Sequence, residues 1–264
     1  MKTIKTYLLV AVILLTANTL FAQDRLSKIV ESGELRVGLT GTQPPFSMKA
    51  KNNELIGFDV DLANLLATSM ELKLILVELP FAELLPGLAN GQVDLVISGM
   101  TITPARNLKT AFVGPYLISG KSILTKSKVL ANVTNPQDIN TNRKVVTLKG
   151  STSQKFAEKH LTDVDLELVD NYDIAIDKIR NDESEIMIAD YPTCAYAMLK
   201  FPNDELVILD RPMTIEPIGI ALPNDDALFV NLVDNYIESL EAAGVLEMME
   251  QKWFENPYWL AQLK

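Results

Sequence analysis

The 264-residue chain has one cysteine, Cys194, and one histidine, His160. A single thiol cannot close an internal disulfide even in an oxidising compartment. One imidazole and one thiol also fall short of the cluster that a zinc or copper site needs, so no cofactor is expected. Cys194 reads as a buried, inert thiol. His160 reads as a surface residue at a helix end, with no serine or cysteine set beside it for nucleophilic catalysis. Cationic residues are scarce as well: 24 Lys and Arg stand against 34 Asp and Glu, a balance that repels nucleic acid and anionic membrane surfaces. The chain has no glycine-rich phosphate loop, so any ATP hydrolysis belongs to another subunit. No repeat or low-complexity tract stands out.

Long apolar runs are confined to the beginning. Lys2 and Lys5 precede an uncharged stretch from Tyr7 to Ala17, and Leu20-Phe21-Ala22 offers a small residue before Gln23-Asp24. The stretch is shorter than the roughly 20 residues that span a bilayer as a helix. Residues 1–22 are therefore expected to be a cleaved signal peptide, and with no cysteine at the cleavage point no lipid is attached there. Cleavage removes two basic residues and leaves 22 against 34 acids, a net charge of −12. The expectation is a free, monomeric periplasmic protein.

Beyond residue 22 strand and helix patterns alternate. Glu34–Leu39 reads as a strand ending in a Gly- and Pro-rich loop, Thr40 to Pro45. Asp59 to Leu72 has apolar residues at helical spacing, and Leu72 to Val77 is a second strand. Phe81 to Ala89 makes a short helix and Val93 to Ile97 a buried strand. The pattern then restarts: strand Lys144–Leu148, helix Ser153–His160, strand Leu166–Val169, helix Tyr172–Arg180, strand Glu185–Ala189. Two successive α/β units imply two lobes, each with a mostly parallel sheet flanked by helices. Lys121–Thr125 and Ile218–Leu222 are the strands expected to link them. Ala227 to Trp253 is expected to be helical, broken at Gly244, and to cover the first lobe. The division is 23–122 for the first part of lobe 1, 123–214 for lobe 2, and 215–264 for the return strand and C-terminal helices. Trp253 and Trp259 read as packing residues.

Three loops carry donors and charges, each directly after a buried strand, where parallel sheets bind ligands. Ser98-Gly99-Met100-Thr101-Ile102-Thr103-Pro104-Ala105-Arg106 joins a flexible backbone and hydroxyls to a guanidinium fork suited to a carboxylate. A capped helix start with Arg106 in solvent is the alternative. Asp190 follows the strand Glu185–Ala189; it suits an ammonium, or simply caps the next helix. Gly150-Ser151-Thr152 follows Lys144–Leu148, and could donate to a ligand or cap its own helix. Glu183 and Glu185 read as a solvated acidic run.

The stretch Gly57-Phe58-Asp59-Val60-Asp61-Leu62-Ala63-Asn64-Leu65-Leu66-Ala67, with Thr101-Ile102-Thr103-x-x-Arg106 downstream, resembles the extracellular solute-binding proteins, family 3, receptors of amino acid ABC transporters. The resemblance runs from about Leu35 to Trp253. It implies the two-lobed periplasmic binding protein fold (type II) with two hinge strands, an amino-acid-like ligand held between the lobes, and delivery to a membrane permease. By the same resemblance Arg106 holds the ligand carboxylate, Gly99 and Thr101 bond its ammonium and carboxylate, Asp190 pairs with the ammonium, and Phe81 packs on the side chain. Aligned on Pro45-Phe46, Thr40 and Gln43 stand where many members have an acid and an aromatic, which argues against a strongly cationic ligand. Thr40-Gly41…Pro45-Phe46-Ser47 and Gly150-Ser151-Thr152…Lys155-Phe156-Ala157 also resemble cyclohexadienyl dehydratase, which acts on prephenate or arogenate. The acid which that chemistry needs, three residues after Asp190, is here Thr193. A ligand-sensing receptor is a further alternative.

Overall fold

A computed structural model describes residues 24–133, 135–139 and 142–263; the expected signal peptide lies outside them. Helix α1 (Arg25–Ser32) leads into β1 (Glu34–Leu39), the short hairpin β2 (Met48–Lys49) and β3 (Leu55–Ile56), then α2 (Phe58–Ser69), β4 (Lys73–Glu78), α3 (Leu84–Ala89) and β5 (Leu95–Val96). A one-turn helix α4 (Pro104–Asn107) and the long strand β6 (Ala111–Ser119) follow. β1 pairs in parallel with both β4 and β5, since each intervening helix carries the chain back along one face of the sheet.

Past Gly120 the chain enters a second sheet. It contains β7 (Lys121–Thr125), β8 (Arg143–Leu148), α5 (Thr152–His160), β9 (Val164–Val169), α6 (Tyr172–Arg180), β10 (Ile186–Asp190), α7 (Tyr191–Lys200) and β11 (Val207–Ile208). Strand β12 (Glu216–Leu222) then returns to the first sheet, followed by α8 (Ala227–Ala242) and α9 (Val245–Glu250). The strand orders are β4-β1-β5-β12-β6 and β11-β7-β10-β8-β9. The molecule is thus a two-lobed α/β protein. In each lobe three strands are parallel, and those nearest the crossing run antiparallel. Val145, Val146, Ile186, Met187 and Ile188 are fully buried, as strands covered by helices on both faces require.

The crossing points differ in detail from the expected linking strands. β7 lies wholly in the second sheet and β12 wholly in the first. The chain changes lobes at Gly120 and again between β11 and β12. The two passages are stitched together, with Met213 N–H donating to Lys121 O at 2.7 Å and Lys121 N–H to Thr214 Oγ1 at 2.9 Å. The C-terminal helices part at Gly244 and pack on the first lobe. The tail beyond them also touches the second lobe, where Trp259 stacks on Tyr196 of α7 with ring centroids 5.9 Å apart.

Residues 57–61 fasten the first lobe. Gly57 has φ of 141°, and a Cβ there would lie 2.2 Å from the Phe46 carbonyl oxygen, so only glycine fits. Phe58 stacks on Tyr116 and Phe254, at 5.7 and 5.3 Å. Asp61 accepts from Trp253 Nε1 at 2.7 Å and Lys252 Nζ at 2.6 Å, tying the C-terminal segment to α2. Asp59 is fully buried and accepts from the Gly99 N–H at 2.7 Å and the Tyr116 hydroxyl at 2.8 Å. Burial lifts its pKa from 3.8 to about 7, against the opposing pull of those two hydrogen bonds.

Two predictions follow from this packing. Gly57→Ala is expected to lower the urea-unfolding free energy by about 2 kcal/mol or more, through strain and overlap with the Phe46 backbone. Because the folded pKa of Asp59 lies above the unfolded value, the native state holds the proton more tightly. Its contribution to stability is therefore full at acid pH, falls as pH rises from about 4 to about 7, and is flat above. In Asp59→Asn the amide oxygen can face only one of the two donors, which costs about 1–3 kcal/mol, and this slope should vanish. Unfolding of both proteins across that range checks it: the wild-type advantage should shrink by up to about 1.4 kcal/mol per pH unit, and a constant difference would refute the assignment.

Candidate functional site

Arg106 sits on α4, where Pro104 occupies the first position and Thr103 Oγ1 accepts from the Arg106 N–H at 3.2 Å. Proline suits that position because its missing N–H would have no partner there. The side chain is buried, so the solvent-exposed alternative does not hold. One guanidinium nitrogen donates to Thr101 O at 2.8 Å and the other to Gly150 O of the second lobe at 3.3 Å. The guanidinium carbon lies 5.6 Å from the centroid of the Phe81 ring, within cation–π range. Burial lowers the Arg106 pKa, while Asp190 and then Glu216 pull it up. The group keeps its charge, since guanidinium deprotonates only at very high pH.

The loop before Arg106 is held by Asp59. Gly99 is left-handed, with φ of 53°, and its N–H is spent on that carboxylate. A Cβ at Gly99 would lie 2.6 Å from Gln43 Nε2, so Gln43 fills the space beside it. Thr101 bridges to Ile218 on the return strand. Its hydroxyl meets that of Thr152 across the lobes at 3.2 Å. Ser151 is committed elsewhere: Oγ donates to Leu148 O at 2.6 Å and accepts from the Gln154 N–H at 3.1 Å. Its hydroxyl therefore caps α5. Thr40 stands at the edge of this cluster, its N–H donating to Ser98 Oγ at 3.2 Å.

Asp190 takes the backbone position of a helix cap, yet its carboxylate makes no capping bond. Oδ1 instead accepts from Lys121 Nζ at 2.6 Å, and Lys121 Nζ also lies 3.6 Å from Glu216 Oε2. These side chains are 1 % (Lys121), 6 % (Asp190) and 13 % (Glu216) exposed. Neither Lys121 nor Glu216 was among the residues expected from sequence. Lys121 opens a strand whose five residues are all buried, and a lysine at the edge of so apolar a segment is the one signal that could have flagged it. Asp190 and Lys121 are direct register partners on β10 and β7, a pairing invisible without the sheet.

The structure therefore brings Phe81, Gly99, Thr101, Arg106, Thr152, Asp190, Lys121 and Glu216 to the junction of the lobes. Buried atoms without a hydrogen-bond partner include Gln43 Oε1, Ser119 Oγ and Thr193 Oγ1. A separate cavity of about 450 Å³ opens between the lobes, with Thr42 and Lys49 on one wall and Arg180 and Tyr196 on the other. None of the eight residues expected from sequence lines it. Chemically the junction offers one cation from the first lobe, an acid–lysine–acid cluster at the crossing, and backbone donors and acceptors around them. Cys194 is buried, and burial raises its thiol well above the ordinary value, with Asp190 adding to the shift. His160 packs against Phe156, ring centroids 4.9 Å apart. Among the described residues no group of three or more His, Cys, Asp or Glu is placed to hold a metal, and no helix is long and apolar enough to cross a membrane.

Comparison with known proteins agrees with this architecture. The chain is 28% identical to the L-cystine-binding protein TcyJ of Escherichia coli K12 over 229 residues, covering 87% of this chain and 85% of that protein. It is 29% identical over 244 residues to a cyclohexadienyl dehydratase of Pseudomonas aeruginosa, covering 92% and 91%. Among solved structures, a putative ABC transporter binding component from Wolinella succinogenes, complexed with lysine, superposes with a TM-score of 0.82 at 34% identity over 87% of this chain and 99% of that one. The model of the bacterial extracellular solute-binding proteins, family 3, matches residues 35–256, and the chain belongs to that family.

Proposed function

We propose that this protein captures a small amino-acid-like solute at the junction of its two lobes, in the periplasm after removal of residues 1–22, and presents it to the membrane permease of an ABC transporter. The observation that carries the reading is Arg106. It is a buried cation anchored in the first lobe, its fork reaching a carbonyl of the second, with Asp190 and Glu216 near enough to act on its charge. A ligand carboxylate is the partner that such a fork takes in two parallel bonds. Phe81 then backs the guanidinium, Thr101 and Thr152 close over the ligand from opposite lobes, and the free oxygen of Asp190 accepts from an ammonium. Thr40 and Gly99 shape the rim and the loop.

Function on this reading is an open–closed equilibrium about the two crossings. A ligand that touches both lobes binds the closed form better and shifts the population toward it. Closure excludes water and strengthens both charged contacts. The dehydratase alternative is disfavoured by Thr193, whose buried hydroxyl cannot supply the proton that loss of water requires near neutral pH.

A thermal-shift panel of amino acids, small dicarboxylates, prephenate and arogenate tests this on the mature protein. At about a thousand times the dissociation constant a ligand adds roughly 4 kcal/mol, a shift of some 8–16 °C at this size. Arg106→Ala is expected to weaken the best ligand by about 2–5 kcal/mol while the ligand-free melting temperature changes little. Unchanged affinity would refute the carboxylate role, and consumption of prephenate during the assay would make the protein an enzyme.

A further inference from the structure

The ammonium of Lys121 is buried at the crossing of the lobes. Its side chain is 1 % exposed, yet of its three N–H donors one makes a hydrogen bond, to Asp190 Oδ1 at 2.6 Å. Glu216 Oε2, at 3.6 Å, is close enough for Coulomb attraction but beyond hydrogen-bond length. Glu216 is itself engaged, its Oε1 accepting from Thr214 Oγ1 at 3.0 Å. A buried ammonium calls for an acceptor at each donor, because a desolvated N–H left unpaired costs as much as a lost hydrogen bond. The backbone of Lys121 is held from both sides by Met213 and Thr214, which fixes the root of the side chain at the crossing.

Formal charges point the same way. Lys121 between Asp190 and Glu216 leaves that trio with one net negative charge, and Arg106 supplies one positive charge. The junction thus has no surplus negative charge with which to neutralise a cationic side chain. A cationic side chain placed there would meet Lys121 directly, and Thr40 and Gln43 provide no acid to compensate it.

We propose that Lys121 is a specificity-determining residue of this cleft: its uncommitted N–H donors bond an oxygen acceptor on the ligand beside the ammonium seat at Asp190, so that the protein selects amino acids with an amide or carboxylate side chain and rejects cationic ones. The inference rests on the reading of the cleft given above and adds to it the class of side chain. It also sets this protein apart from the Wolinella relative, whose structure holds lysine.

Isothermal titration of the mature protein with L-glutamine, L-asparagine, L-glutamate, L-aspartate, L-methionine and L-lysine decides it. At least one of the four oxygen-bearing probes is expected to bind tenfold or more tighter than methionine, with lysine weaker still. Whether the amide or the acid of equal length wins tells whether the acceptor is neutral or anionic. Lys121→Met should weaken the preferred probe tenfold or more while methionine changes less than threefold. Lys121→Gln, which keeps N–H donors without the charge, should retain part of the preference for oxygen. Should both variants fail to fold because Asp190 and Glu216 are left without their cation, the wild-type ranking decides alone. Tightest binding of lysine, failure of all four oxygen-bearing probes, or unaltered affinity in a folded Lys121→Met would overturn the proposal. Arg106→Ala separates the two levels. Loss of binding there with no effect of Lys121→Met removes only the role of Lys121, whereas no effect of Arg106→Ala removes the cleft reading itself.

Discussion

The buried carboxylate of Asp59 is the point from which the rest of the first lobe is set out. It lies at the start of α2 and accepts from the Gly99 backbone and the Tyr116 hydroxyl. Those two bonds join three segments distant in sequence: the helix 58–69, the loop after β5 and the long strand β6. With its N–H held, Gly99 stays in the left-handed region and turns the loop toward the second lobe. Thr101 then meets the return strand, and five residues later, past the cap at Thr103, Arg106 emerges facing Gly150. An acid is costly in such a place, as the rise of its pKa to about 7 records. Its two oxygens meet the two donors separately, which a side chain with a single oxygen in that place cannot do. The neighbouring Asp61, two positions on and at the surface side of the same helix, does a parallel task by holding Trp253 and Lys252.

The junction between the lobes is built largely from backbone. Arg106 reaches carbonyl oxygens of both lobes, Lys121 is bracketed by Met213 and Thr214 through main-chain atoms or a short hydroxyl, and Tyr191 N–H donates to Gly120 O. Backbone carbonyls hold the Arg106 guanidinium without a counter-charge, whereas the Lys121 ammonium is held by the Asp190 carboxylate. At the crossing, Asp190 from one sheet and Glu216 from the other lie against a single lysine.

Two loops that look alike in sequence resolve in opposite senses. Ser151 and Asp190 each follow a buried strand and precede a helix, and each is a good cap by residue type. Ser151 does cap, because its short hydroxyl can reach the Gln154 N–H and has no competing charge nearby. Asp190 does not, because its register partner across the sheet is Lys121 and a buried ammonium outbids a helix N–H for a carboxylate. Phe81 shows a related shift: expected as a wall for the ligand, it lies first of all against the Arg106 guanidinium, where it steadies the charge the ligand would meet.

The sequence by itself determined the alternation of strands and helices, the two α/β units, the family and the loop that carries Arg106. These are properties of local periodicity and of motifs whose residues are close along the chain. Gly57, Phe58, Asp59 and Asp61 announced the family by spacing alone, though why each is needed emerged only from contacts with Phe46, Tyr116, Gly99 and Trp253. The place where the chain changes lobes, the partner of Asp190 and the inclusion of Lys121 and Glu216 were decided by tertiary structure. Lys121 and Asp190 are 69 residues apart and meet only because β7 and β10 pair antiparallel in one register. Which of a buried acid's possible partners it takes depends on such pairing and on the cost of leaving a charge unmatched, and neither quantity is written in any local stretch of the chain.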